Sequence, residues 1–133
     1  MEPHVQPGAL GRSAEQVGAA RAIALAMYQH EPEGTIAKPW LGGMVAAGTW
    51  LLGLTDQSPV SHRTGPATRA SLDNELLAAG QADMPGDGNP RDPAKMYARG
   101  AYRMLVYALG LRDEMPVKLS TEVARKMLDE LAA

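Results

Sequence analysis

The stretch Pro39-Trp40-Leu41-Gly42-Gly43-Met44-Val45-Ala46-Ala47-Gly48-Thr49-Trp50-Leu51-Leu52-Gly53-Leu54 carries no charged side chain. Trp40, Met44, Ala47 and Leu51 recur at helical spacing on one face, and Leu41, Val45, Gly48 and Leu52 on the next. A helix apolar on nearly every side belongs at the centre of a fold. Pro39 suits a first helical turn, where its missing N–H would be unpaired anyway. Gly and Ala are poor strand residues, which argues against a sheet. From Trp40 to Leu54 the run falls short of the ~20 residues that span a bilayer, so a buried core helix is expected and no membrane association. Gly42, Gly43 and Gly48 each cost about 1 kcal/mol against Ala in a helix interior. Their presence predicts the close approach of a neighbouring helix.

Outward from this segment, punctuation separates four more helices. Ser13 and Gln16 stand in capping-box spacing before an Ala-rich run ending at Pro32 and Gly34. Asp92 as N-cap and Pro93 at the first position open another helix, and Gly110 closes it. A short helix starts near Pro66, capped by Thr64 or Ser71. Ser120 or Thr121 caps a last helix that should bury Val123, Met127, Leu128 and Leu131. The expected fold is therefore all-α, a single-domain bundle of about five helices over approximately 14–30, 39–54, 66–81, 93–109 and 120–132. Residues 1–12 read as a flexible N-terminal arm, and no internal repeat is evident.

Composition narrows the function classes. The chain has 133 residues, 13 basic and 15 acidic side chains, eight Met, no Phe and no Cys. Disulfide scaffolds, thiolate metal sites and thiol nucleophiles are excluded. With aromatics scarce, Met, Leu and Ala must fill the core. No apolar leader-like segment occurs near the N-terminus, so a cytoplasmic location is expected.

Charge is unevenly placed. Residues 71–90 sum to −4 and residues 91–112 to +4. Arg91, Lys95, Arg99 and Arg103 recur every four residues and Arg112 follows, which makes a drifting stripe on a helix. Such a stripe suits nucleic-acid phosphates or an acidic partner. The plainer reading is a solvated face partly neutralised by Asp73, Glu75, Asp83 and Asp87. A helix-turn-helix is a poor match. The last two helices are about ten residues apart where the motif needs three or four, and the later one is acidic.

The densest polar cluster lies between residues 55 and 69: Asp56, Ser58, Ser61, His62, Arg63 and Arg69. A helix N-terminus follows it, which favours an anion. No P-loop or Gly-x-Ser-x-Gly elbow is present, and Ser58-Pro59 and Ser61 are ordinary turn residues. His4, His30 and His62 are far apart, so no metal site is expected, and His30 reads as a helix-end histidine interacting with the dipole. The segment 87–92 departs from a calcium loop, with Arg91 and Asp92 at its fifth and sixth positions. No cofactor is implied.

These features favour a small non-enzymatic helical protein acting through protein–protein contacts, in an accessory, inhibitory or assembly role and with itself as one possible partner. The alternatives are a nucleic-acid-associated protein using the stripe 91–112, and an enzyme or anion binder centred on 55–69.

Overall fold

The computed structural model describes residues 12–82 and 92–132. The element order is α1 (Ala14–His30), α2 (Ala37–Leu51), α3 (Arg69–Ala82), α4 (Pro93–Ala108) and α5 (Thr121–Ala132). The fold is an all-helical bundle, as the hydrophobic periodicity predicts. Residues 83–91 lie outside the described residues, as does all of the expected arm 1–12 except Arg12.

Local chemistry explains the helix ends. Ser13 and Gln16 form the predicted capping box at α1. Lys38 closes the other end of α1: its Nζ donates to the Tyr28 carbonyl at 2.6 Å and lies 4.0 Å from the Tyr28 ring centre. Helix α2 starts before the predicted boundary, with Pro39 as its third residue. That position is still free of intrahelical N–H bonds, so the proline is harmless. Helix α3 is capped by Thr68, whose hydroxyl accepts from Ser71 N while Ser71 Oγ accepts from Thr68 N. Ser71 is thus the partner in the cap, and Thr64 lies outside it.

Helix α2 packs chiefly on α4 and next on α1, while α3 packs on α4. The α2–α4 crossing is a contact of backbone on backbone. A Cβ placed on Gly43 would lie 2.0 Å from the Tyr97 carbonyl oxygen, and one on Gly100 would lie 1.8 Å from that of Trp40. The two contacts are reciprocal: each helix presents aromatic-x-x-Gly, and each glycine rests on the other helix's aromatic carbonyl. Gly48 likewise accommodates the stem of Arg21.

The likeness extends along both helices. In the same register, Trp50 matches Tyr107, and Leu52-Gly53-Leu54-Thr55-Asp56 matches Leu109-Gly110-Leu111-Arg112-Asp113. Gly53 and Gly110 both have φ 75°. Leu54 N donates to Thr49 O, and Leu111 N to Val106 O, each at 3.0 Å. With Gly53 N on Trp50 O and Gly110 N on Tyr107 O, both helices end in a Schellman motif. Helices α2 and α4 thus share a glycine contact and a common C-terminal motif in one register.

Trp50, Leu41, Met44, Leu72, Met104 and Leu105 are the large apolar side chains that are fully buried. Ala20, Ala24, Ala47, Ala101 and Ala108 let the helices close around them. Arg12 departs from the expected arm. Its N–H donates to Ala108 O at 3.1 Å, its guanidinium to Arg112 O at 2.6 Å, and it lies 4.7 Å from the Tyr107 ring centre.

Helix α5 is the main departure from expectation. Val123 is buried and Met127 half-buried, but Leu128 is 66% exposed and Leu131 83% exposed. The helix touches the bundle mainly through α1. One narrow seam reaches the body, so the rest of the apolar stripe stays in solvent.

Candidate functional site

The loop between α2 and α3 doubles back on itself through an antiparallel bridge of Gln57 with Thr64. Ser58 N donates to Arg63 O at 2.9 Å, and Gly65 N donates to Asp56 O at 2.6 Å. Trp50 Nε1 pins the return strand by donating to Gly65 O at 3.0 Å. His62 takes φ 58° at the turn, a left-handed conformation that costs a non-glycine residue about 1 kcal/mol.

This loop does enclose an anion, and the anion is part of the chain. Glu75, on the second turn of α3, is 1% exposed. Its Oε2 accepts from Val60 N at 2.6 Å and from Ser61 N at 3.1 Å, and its Oε1 accepts from Ser61 Oγ. Because Ser61 Oγ donates to the carboxylate, Ser58 Oγ must donate to Ser61 Oγ at 3.0 Å. In turn it accepts from Arg63 N at 2.9 Å. Successive backbone N–H groups turned toward one carboxylate form an anion nest. Hydrogen bonds to a charged group are about twice as strong as neutral ones, so this clamp holds the loop firmly.

Glu75 also acts on Tyr97. Burial, followed by the nearby carboxylate, pushes the Tyr97 phenol above its ordinary 10.0. Sequence reasoning placed Glu75 among the groups neutralising the basic stripe; the structure corrects this. The available signal was its spacing, three residues after Leu72 and four before Ala79, both fully buried.

The six loop residues singled out from the sequence are not brought to one point. Arg63 borders a cavity of about 110 Å³ with Trp50, Ser58, Gly65, Asn74 and Glu75. His62 borders a separate depression of about 310 Å³ beside Thr49, Gln57 and Pro59. Asp56 lies along a third, with Leu54 and Pro66. Arg69 pairs with Asp73 at 3.5 Å on the surface of α3. The side chains of Ser58 and Ser61 are joined through their hydroxyls, Arg63 meets Ser58 through its backbone, and both serines serve the Glu75 clamp.

The basic stripe is uneven. Arg91 lies outside the described residues. Lys95 is half-buried, and Arg99 is exposed with one nitrogen 4.0 Å from Met96 Sδ. Arg103 turns toward the α4–α5 connection: a terminal nitrogen donates to Pro116 O at 3.2 Å, and its Nε is buried without a hydrogen-bond partner. Arg112 is exposed, and its carbonyl is held by Arg12.

Among the described residues no three His, Cys, Asp or Glu side chains are grouped to hold a metal. His30, in the last turn of α1, has Nδ1 3.0 Å from Ala26 O and Nε2 3.4 Å from Glu130. No helix among the described residues is long and apolar enough to cross a membrane.

The remaining conspicuous surface is α5. Its residues fall into two neighbouring seams of three-four-three spacing. Ser120, Val123, Met127 and Glu130 face the body. Thr121, Ala124, Leu128 and Leu131 make the outer seam, edged by Arg125 and Asp129 on the side away from the body. Comparison with protein-family models, curated proteins and solved structures gave no match.

Proposed function

We propose that this protein is a non-enzymatic interaction module that docks an amphipathic helix of a protein partner on the outer seam of α5. The observation that supports this is the exposure of Leu128 and Leu131 on one stripe of a helix whose other seam is already used. The stripe has the spacing of a helix-pairing seam. Apolar surface left in water is unfavourable by roughly 25 cal/mol per Å², and a partner helix removes that penalty. The role is accessory, inhibitory or assembly-related, in the cytoplasmic setting the sequence suggests. The nucleic-acid and anion-binding alternatives gain no support from where their residues lie.

Photo-crosslinking tests the reading. A benzophenone side chain is placed at position 128 of the full chain in living cells, with position 122 as control. The expected result is a protein adduct at 128 that Leu131→Asp abolishes. If 128 gives no more adduct than 122, the outer seam is not a docking surface.

A further inference from the structure

Independently of the α5 seam, we infer that the cavity where α2, α3 and α4 meet is a binding site for a small aromatic carboxylate. Trp40 from α2, Ala79 and Gly80 from α3, and Arg99, Tyr102 and Arg103 from α4 line about 260 Å³ there. Sites for drug-sized ligands occupy ~300–1,000 Å³, so this one has room for one or two fused rings. Its lining joins an indole, a phenol and small residues to two guanidinium groups, and among the described residues no carboxylate borders it. Aromatic walls bury a flat apolar ring, and a guanidinium fork matches a planar carboxylate. The place is distinct from the loop 55–69, whose anion is Glu75 of the chain itself.

Arg103 sets the charge of the occupant. It is half-buried, and it pairs with no carboxylate among the described residues. One terminal nitrogen donates to Pro116 O at 3.2 Å, and Nε is cut off from water with no acceptor. A guanidinium carries five N–H donors, so most of this fork is unused. Taking a cation out of water is unfavourable unless an anion accompanies it. A carboxylate in the cavity supplies that counter-charge. Gly80 supports the same place from α3. Glycine disfavours a helix, yet a Cβ here would meet nothing within 4 Å. No neighbour requires a glycine at this position, and its bare backbone keeps open the space beside Trp40 and Tyr102 that a ligand ring would use.

The probe is 2-naphthoate, titrated into the purified full chain and followed by calorimetry and by the indole N–H resonances of Trp40 and Trp50 in proton–nitrogen NMR spectra. The expected result is saturable one-site binding, with a Kd between about 10 µM and about 1 mM. The Trp40 resonance should shift, while that of Trp50, held at Gly65 O, should stay in place. The amide 2-naphthamide has the same shape without the charge and should bind at least tenfold more weakly. Arg103→Met keeps an unbranched stem without the charge. It should weaken 2-naphthoate at least tenfold and leave 2-naphthamide within twofold. Gly80→Leu projects into open space and should abolish binding of both compounds, with circular dichroism and thermal unfolding showing a chain as stable as the parent. Should Arg103→Met fail to fold, the comparison of acid with amide on the parent chain still decides the charge. No saturable binding up to about 5 mM, or binding that leaves the Trp40 resonance where it was, overturns the site. Equal affinity for acid and amide, or undiminished binding of the acid by folded Arg103→Met, overturns the carboxylate assignment.

Discussion

Adding one methyl group at the α2–α4 crossing tests the architecture most directly. The Cβ of Gly100→Ala would lie 1.8 Å from the Trp40 carbonyl oxygen, and real Cβ atoms do not come within 3.0 Å of such an atom. The helices must therefore part by more than 1 Å, because neither side of the contact is a side chain that can swing away. Parting them loosens Met44, Ala47, Ala101, Met104 and Leu105 together. A gap of 0.5–1 Å already forfeits about a quarter to a half of each dispersion contact. Overpacking by a methylene costs about 1–3 kcal/mol where side chains can adjust, so about 3 kcal/mol or more is expected at this rigid contact. Relief of the glycine penalty returns about 1 kcal/mol, leaving a net loss of about 2 kcal/mol at least. Thermal and urea unfolding followed by circular dichroism measures it, with a fall in Tm of roughly 5–15 °C expected. Gly18 and Gly80 are the controls, because nothing lies within 4 Å of a Cβ at either position. Alanine there should raise stability by up to about 1 kcal/mol. If Gly100→Ala unfolds within about 0.5 kcal/mol of the parent, the crossing is not as close as described and the packing argument fails.

Glu75→Gln should loosen the 55–68 loop and cost about 2–4 kcal/mol, since it replaces a charged acceptor of three hydrogen bonds. Tryptic cleavage after Arg63 should accelerate in Glu75→Gln and less so in Ser61→Ala; equal rates in all three proteins would remove the clamp. The folded state holds the Tyr97 proton more tightly than the unfolded chain, so its contribution is complete below about pH 10. It is lost as pH rises from there through the raised folded value. Stability measured across that interval should fall less steeply in Tyr97→Phe, and identical slopes would refute the assignment. Gly53→Ala and Gly110→Ala each force a methyl into left-handed backbone and should cost about 1–2 kcal/mol by urea unfolding. No change in midpoint at either would argue against the Schellman ends.

Five helices and most of their ends were legible because the signals are local. Ser13 with Gln16, Asp92 with Pro93, and Gly110 act on backbone groups a few residues away. The central position of α2 was legible from the missing charges between Pro39 and Leu54. What escaped were features requiring two distant segments at once. The relation between α2 and α4 is carried by a few backbone-critical positions, with most side chains between them different. Glu75 looked like one more surface acid until α3 turned it inward onto a loop more than ten residues earlier. Leu128 and Leu131 satisfy the periodicity of a buried helix, yet periodicity states only that a stripe exists. How much of that stripe the body covers depends on the angle at which the connection 109–120 delivers α5, and no residue in α5 encodes that angle.

The touching point of α2 and α4 also sets what the rest of the interior can tolerate. Two rods pressed backbone to backbone at Gly43 and Gly100 fix the spacing of everything stacked beyond that point, so Met44, Ala47, Met104 and Leu105 have little room to trade volume. Larger side chains should therefore be accepted more readily at the ends of these two helices than near the crossing.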